Sequence, residues 1–102
     1  MGELTPMSPG RFALTGVVNK DSVPKLVDSS WAALAKDPAR DLVVDLSGVD
    51  HADSSALAML LSWVRRARQS EKELAFAQIP DDLMALARVC GMDELLPLVS
   101  RP

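Results

Sequence analysis

DLVVDLSGVDHADSSALAMLLSWVRRARQ, running from Asp41 to Gln69, is the stretch on which the fold turns. Leu42, Val43 and Val44 are consecutive β-formers, a pattern that suits a strand covered on both faces. The run ends in Asp45-Leu46-Ser47-Gly48, and Asp50-His51-Ala52-Asp53 reads as a polar loop. Ser54 and Ser55 then open an apolar segment with helical spacing, closed by the basic residues Arg65, Arg66 and Arg68. A buried strand thus feeds a tight loop that sets two hydroxyls on a helix N-terminus.

At about 100° per residue around that helix, Ala56, Leu57, Leu60, Val64 and Ala67 gather on one side and form the expected buried face. Ala58, Ser62, Arg65 and Gln69 lie opposite. Ser55, Met59, Ser62 and Arg66 make one flank, with Trp63 at its edge. Small side chains let another backbone approach closely, and methionine adapts its shape to a partner. Plainer readings stand beside this one. Asp, Ser and Ser are common helix caps, and capping accounts for Asp53-Ser54-Ser55 as well as a function does. Arginines late in a helix complement its negative end, so a solvated face explains them alone.

Working outward, the pattern from Arg11 to Val18 predicts a strand, with Phe12, Leu14, Gly16 and Val18 on one face. Before it, Ser8-Pro9-Gly10 reads as a turn, and Met1 to Gly10 is either an N-terminal edge strand or a frayed tail. Ser22 is a candidate N-cap with Pro24 in the first turn of a helix. Val23, Leu26, Val27, Ser30 and Leu34 form its apolar stripe, and Trp31 is expected on the sheet. Lys36-Asp37-Pro38 ends it. Beyond Gln69, Leu74 to Gln78 is the next predicted strand. A helix capped by Asp81 follows, with Leu83, Leu86, Ala87 and Cys90 as its buried stripe and Gly91 as its left-handed stop. Met92 to Leu96 suggests one last helical turn.

Strand, strand, helix, strand, helix, strand, helix implies an α/β domain spanning residues 1–102, with a small, mixed but mostly parallel sheet flanked by helices, mainly on one side. The chain has 102 residues, 48% of them hydrophobic and 25% charged, enough for a single modest core. Its net charge of −3 gives no basic footprint for nucleic acid. No apolar run approaches the roughly 18 residues of a membrane span, so no direct membrane insertion is expected. No signal peptide opens the chain, and with Cys90 as the single cysteine the expected home is reducing and cytoplasmic. One histidine, one cysteine and no tyrosine leave few nucleophile–base pairs. There is no phosphate loop, HExxH or CxxC, so neither catalysis nor a metal or cofactor is expected. His51 has no triad or ligand partner in the sequence and reads as structural.

The residues Leu42-Val43-Val44-Asp45-Leu46-Ser47-Gly48-Val49, followed by Asp53-Ser54-Ser55-Ala56-Leu57, resemble the signature of STAS domains. The resemblance extends in element order from about Arg11 to Leu98. It implies the STAS fold of anti-sigma factor antagonists. The family also includes cytoplasmic domains of sulfate transporters and a small subunit of the bacterial phospholipid-transporting ABC complex. Antagonists usually read Asp-Ser-Ser/Thr-Gly here, and a partner kinase phosphorylates the first hydroxyl, which would be Ser54. This chain has Ala56 where that glycine is typical, and Gly16-Val17-Val18-Asn19 in place of Gly-x-Leu-Asp. Its Leu83-Met84-Ala85-Leu86-Ala87-Arg88 through Leu95-Leu96-Pro97 looks more like the transporter subunit. There the resemblance implies docking on the ATPase subunit of the ABC transporter, and through it on the permease, at the inner face of the inner membrane. The expected partner surface comprises Asp53, Ser54, Ser55, Met59, Ser62, Arg65 and Arg66. The alternative partner is an anti-sigma factor kinase.

Overall fold

Four strands and three helices account for most of the chain in the computed structural model, which describes residues 2–99. Strand β1 (Glu3–Ser8) pairs antiparallel with β2 (Arg11–Val18) across a turn at Gly10. Gly10 has φ +78°, and a Cβ there would meet the Asp41 carbonyl at 2.8 Å. Glycine is therefore required at this turn. Pro6 and the exposed polar side chains of β1 blunt what is an outer edge of the sheet.

Helix α1 (Val23–Lys36) returns the chain to β3 (Asp41–Ala52), which pairs parallel with β2. Helix α2 (Ser54–Gln69) then leads to β4 (Glu73–Ala77), parallel to β3, and to α3 (Asp81–Val89). A 3-10 turn, Asp93–Leu95, follows. The sheet order is β1-β2-β3-β4, mixed and mostly parallel, as the sequence pattern implies.

Burial alternates along the strands. Phe12, Leu14 and Val18 of β2, Leu42, Val44 and Leu46 of β3, and Leu74 and Phe76 of β4 are buried. Their neighbours Ala13, Val43, Asp45 and Ala75 are only half-buried. The helices form one layer on the first face, α2 touching both α1 and α3. The expectation of strands covered on both faces is thereby corrected. Val43 is half-buried between Arg11 and Ala75 of the neighbouring strands, on the face that the helix layer does not cover.

Strand β3 is much longer than its apolar run suggests. From Ala13 opposite Asp45 to Thr15 opposite Gly48, β3 spends three residues on two of β2. From Gly16 opposite Val49 to Val17 opposite His51 it spends two on one. Each shift is a bulge with one extra residue. Asp45 Oδ1 accepts from the Ser47 N–H at 2.8 Å within the first. Gly48 follows it, where a Cβ would stand 2.6 Å from Thr15 Cγ2. The polar stretch 50–52, read from sequence as loop, thus continues the strand.

The connection from α1 to β3 is tied by polar groups. Asp37 accepts from Gly10 N–H at 3.0 Å and Ala39 N–H at 2.8 Å. Lys72 Nζ donates to the carbonyls of Asp37 and Ala39. These amide hydrogen bonds, Gly10 first and Ala39 second, hold the Asp37 carboxyl below its usual pKa, helped by the Lys72 charge and opposed by partial desolvation.

Helix α3 differs from expectation in its cap and in Cys90, and ends at Gly91 as expected. Pro80 stands at the cap position, Asp81 is the first helical residue, and Asp82 accepts from Leu83 N–H. At the other end, Gly91 (φ +72°) ends the helix through Met92 N–H to Ala87 O and Gly91 N–H to Arg88 O. Cys90 was expected in the core, but it falls past the last helical residue and is exposed. The final segment lies along β4, where Leu98 bridges to Phe76.

Candidate functional site

The junction between β3 and α2 is built by backbone capture. Asp53 N–H donates to the Val18 carbonyl at the end of β2, which fixes where β3 stops. Asp53 then takes an extended conformation, with φ −124° and ψ −168°, and caps α2. Its Oδ1 accepts from Ser55 N–H at 2.8 Å, and its Oδ2 accepts from Lys20 N–H at 3.2 Å. One carboxylate therefore joins the helix start to the loop after β2.

Capping accounts for Asp53 alone. Ser54 is the first residue of α2 and exposed, Ser55 is half-buried, and neither hydroxyl makes a hydrogen bond among the described residues. The Ser54 hydroxyl stands free at the positive end of a 16-residue helix, where anions and acceptors are favoured. Among the described residues, no histidine, lysine or carboxylate is hydrogen-bonded to it to act as a base. Among the described residues there is no cluster of three or more His, Cys, Asp or Glu side chains to hold a metal ion. The arrangement suits docking, or acceptance of a group delivered by another protein.

Down the helix the predicted surface holds in part. Ala58, Arg65 and Gln69 are exposed and Ser62 is half-buried, so they continue from Ser54 as a low strip. Met59 does not belong to it. It is 1% exposed and sits in the core, and Trp63, expected at the edge, is fully buried. The cause is α1. Trp63 Nε1 donates to the Val27 carbonyl of that helix at 3.0 Å, so α1 covers the flank that a lone helix would show to solvent. The buried arc of α2 widens to about 160°. Trp31, expected on the sheet, is the half-buried indole of the two.

Arg66 is engaged as well. Its Nη2 lies 3.0 Å from Asp28 Oδ1 of α1, an ion pair open enough to contribute only about 0–1 kcal/mol. Arg65, with no ion pair among the described residues, is the freer cation. Asp28 and Leu61 also border the strip and were missed from sequence. Asp28 joins it only because two helices meet, which no local pattern signals. Leu61 is half-buried and sat between the two faces of the helical projection. His51 is exposed on β3, and no described residue hydrogen-bonds to its imidazole.

A family model described as "Mlab, STAS domain" matches residues 4–99. An anti-sigma-B factor antagonist of Staphylococcus aureus (strain NCTC 8325 / PS 47) is 26% identical over 81 residues, 79% of this chain and 74% of the relative. Among solved structures, a chain of the Acinetobacter MlaFEDB complex in its ATP-bound Vtrans2 conformation is 26% identical. It superposes with a TM-score of 0.75 over 87% of this chain and 93% of its own, and corresponds to the MlaB subunit. An anti-sigma-factor antagonist (STAS) domain protein from Planctomyces limnophilus shares the fold at 16% identity. Its TM-score is 0.72 over 99% of this chain and 91% of that one. With the strand–helix junction, the free hydroxyl and a family match from residue 4 to 99 in agreement, the chain belongs to the STAS domain family.

Proposed function

We propose that this chain is a non-catalytic STAS subunit that binds and stabilises the cytoplasmic ATPase, MlaF-like, of a phospholipid-transporting ABC complex. That complex would maintain outer-membrane lipid asymmetry, and the chain would meet its permease only through the ATPase. The observation that carries this reading is the likeness to the MlaFEDB chain, at 26% identity over 87% of this chain. The uncapped Ser54 hydroxyl and the low strip of Ala58, Ser62 and Arg65 support a contact that runs along α2 from its N-terminus.

A second reading has its own observation. The Staphylococcus aureus relative is a named antagonist of an anti-sigma factor, also at 26% identity, and Ser54 stands exposed for a kinase. In this reading the chain is a switch, active with Ser54 free and inactive once it carries phosphate.

Ser54 separates the two. In the transporter reading, Ser54→Ala weakens the ATPase complex mildly, Ser54→Arg disrupts it, and no phosphate is present in protein from native cells. In the switch reading, Ser54→Ala behaves as permanently active and Ser54→Asp as inactive toward an anti-sigma kinase. Affinity purification from native cells, with intact-mass measurement of the bait, tests both. Recovery of an ATPase with unmodified bait upholds the first. A serine kinase among the partners, with a substantial phosphorylated fraction at Ser54, replaces it with the second.

A further inference from the structure

The helices cover one face of the sheet and, among the described residues, leave the other without a layer. Across that open face, Arg11, Val43 and Ala75 stand in one row, and Thr5, Ala13, Asp45 and Ala77 in the next. Ala13, Val43, Ala75 and Ala77 are half-buried and form its floor. Strands β2, β3 and β4 run parallel, and parallel strands ordinarily have both faces covered, whereas a solvated face carries polar side chains at alternate positions. Alanine and valine stand there instead, short enough for another element to lie flat on them. Three strands about 4.8 Å apart span roughly 10 Å, the width of one helix.

The edge of the floor sets the sign of its occupant. Asp41 of β3 and Glu73 of β4 are direct neighbours across the two strands, both exposed, and neither has an ion pair among the described residues. Like charges so placed cost stability. Two rows on, Asp45 adds a third carboxylate, and Arg11, the cation beside them, pairs with none of the three among the described residues. Two opposed carboxylates are what a lysine or arginine from outside would bridge. This acidic edge repels nucleic acid and an anionic membrane surface. Two copies set face to face would double the excess of carboxylate over guanidinium. We propose that the open face of the sheet is a second docking surface, and that it takes a cationic amphipathic helix of another protein. The apolar stripe of that helix lies on Ala13, Val43, Ala75 and Ala77, and its lysines or arginines meet Asp41, Glu73 and Asp45. Helix α2 lies on the opposite side of the sheet, so this surface is independent of Ser54 and of either reading of the docking there.

The test titrates the full ¹⁵N-labelled chain with a peptide of about 18 residues, roughly five helical turns, carrying leucines at i, i+3, i+4 and i+7 and lysines on both flanks. One control scrambles the same residues, and the other keeps the stripe but replaces lysine with glutamate. The expected result is saturable amide shifts at Ala13, Val43 and Ala75 and none at Ser54 or Ser62, with both controls binding about tenfold more weakly or worse. The double variant Asp41→Asn, Glu73→Gln should bind the lysine peptide about three- to tenfold more weakly. It should also melt at the same or a higher temperature, because the like-charge contact is gone. Ala75→Arg raises a cation in the middle of the floor and should weaken binding about tenfold or more. Should that variant fail to fold, the double variant carries the test alone. No saturable shift, or shifts confined to the acidic start of α3, overturns the surface. Equal binding of the scrambled peptide overturns the helical stripe, and equal binding of the glutamate peptide overturns the charge. Unchanged affinity in the double variant overturns the role of its carboxylates. Shifts at the same residues that grow with the concentration of the chain alone make a second copy the occupant and overturn the foreign helix.

Discussion

From Asp41 to Leu46, β3 pairs with β4 as far as Asp45 and with β2 from Val43, and buries every second side chain; beyond that it has only β2 beside it, and its bulges fall between Asp45 and His51. The first half is positioned by the core. The second half is positioned by backbone pairing, by Asp45 and Asp53, and by a glycine that lets two strands approach. The two halves meet different needs: a strand that must bury side chains cannot also carry a free polar junction out past the sheet. By overshooting β4, β3 delivers Asp53 and the start of α2 to the surface while the helix body stays in the core.

The largest test of this contrast compares Leu46→Ala with His51→Ala. Leu46 is fully buried, so its truncation should cost about 2–5 kcal/mol in chemical denaturation. His51 is exposed, and its loss should stay within about 0.5 kcal/mol. Equal costs would mean that both halves are core. Next comes Gly48→Ala, which forces a Cβ against Thr15 Cγ2 and should cost about 1–3 kcal/mol. Adding Thr15→Ser removes that methyl and should recover most of the loss; additive effects would refute close approach as the reason for glycine.

A smaller effect sharpens the reading of the junction. Asp53→Ala should cost about 0.5–2 kcal/mol by removing the cap, whereas Ser54→Ala should change stability by under about 0.5 kcal/mol. If Ser54→Ala costs as much, its hydroxyl is a cap and not a free group. The mildest expectation concerns pH at the other end of β3. The Asp37 carboxyl has a lowered pKa in the folded chain, so it contributes stability above the unfolded pKa, about 3.9 for Asp. That contribution is lost as pH falls through the lowered folded value. The stability gap between the natural chain and Asp37→Asn should therefore be full at neutral pH and close in strong acid. A gap independent of pH would show that charge is not what holds this loop.

Element order was legible in the sequence because apolar spacing reports burial directly. Leu26, Ser30 and Leu34 of α1, and Ala56, Leu57, Leu60, Val64 and Ala67 of α2, are all buried as their spacing implies. What escaped depends on neighbours. Met59 and Trp63 are buried because α1 packs on their flank, and a single-helix projection contains no second helix. The outer half of β3 was hidden because strand signals come from buried faces, and Ser47 to His51 has little burial to report. Cys90 was misread because it is the C-cap just before the Gly91 stop, where the helical stripe no longer lies against the core. At the candidate site, sequence located the junction but could not tell cap from free hydroxyl. That division required seeing which oxygen meets which amide.

The pairing of Trp63 with Val27 also gives the chain a built-in optical reporter. With no tyrosine and two tryptophans, its near-ultraviolet emission under selective indole excitation comes from two rings at different depths. Trp63, sealed between α1 and α2 with its N–H satisfied, reads the packing of those helices. Trp31, half-open on α1, reads whatever arrives on that helix. Replacing one indole at a time with phenylalanine would let a loosening of the helix layer and an arrival on α1 be followed as two separate colours of the same unlabelled protein.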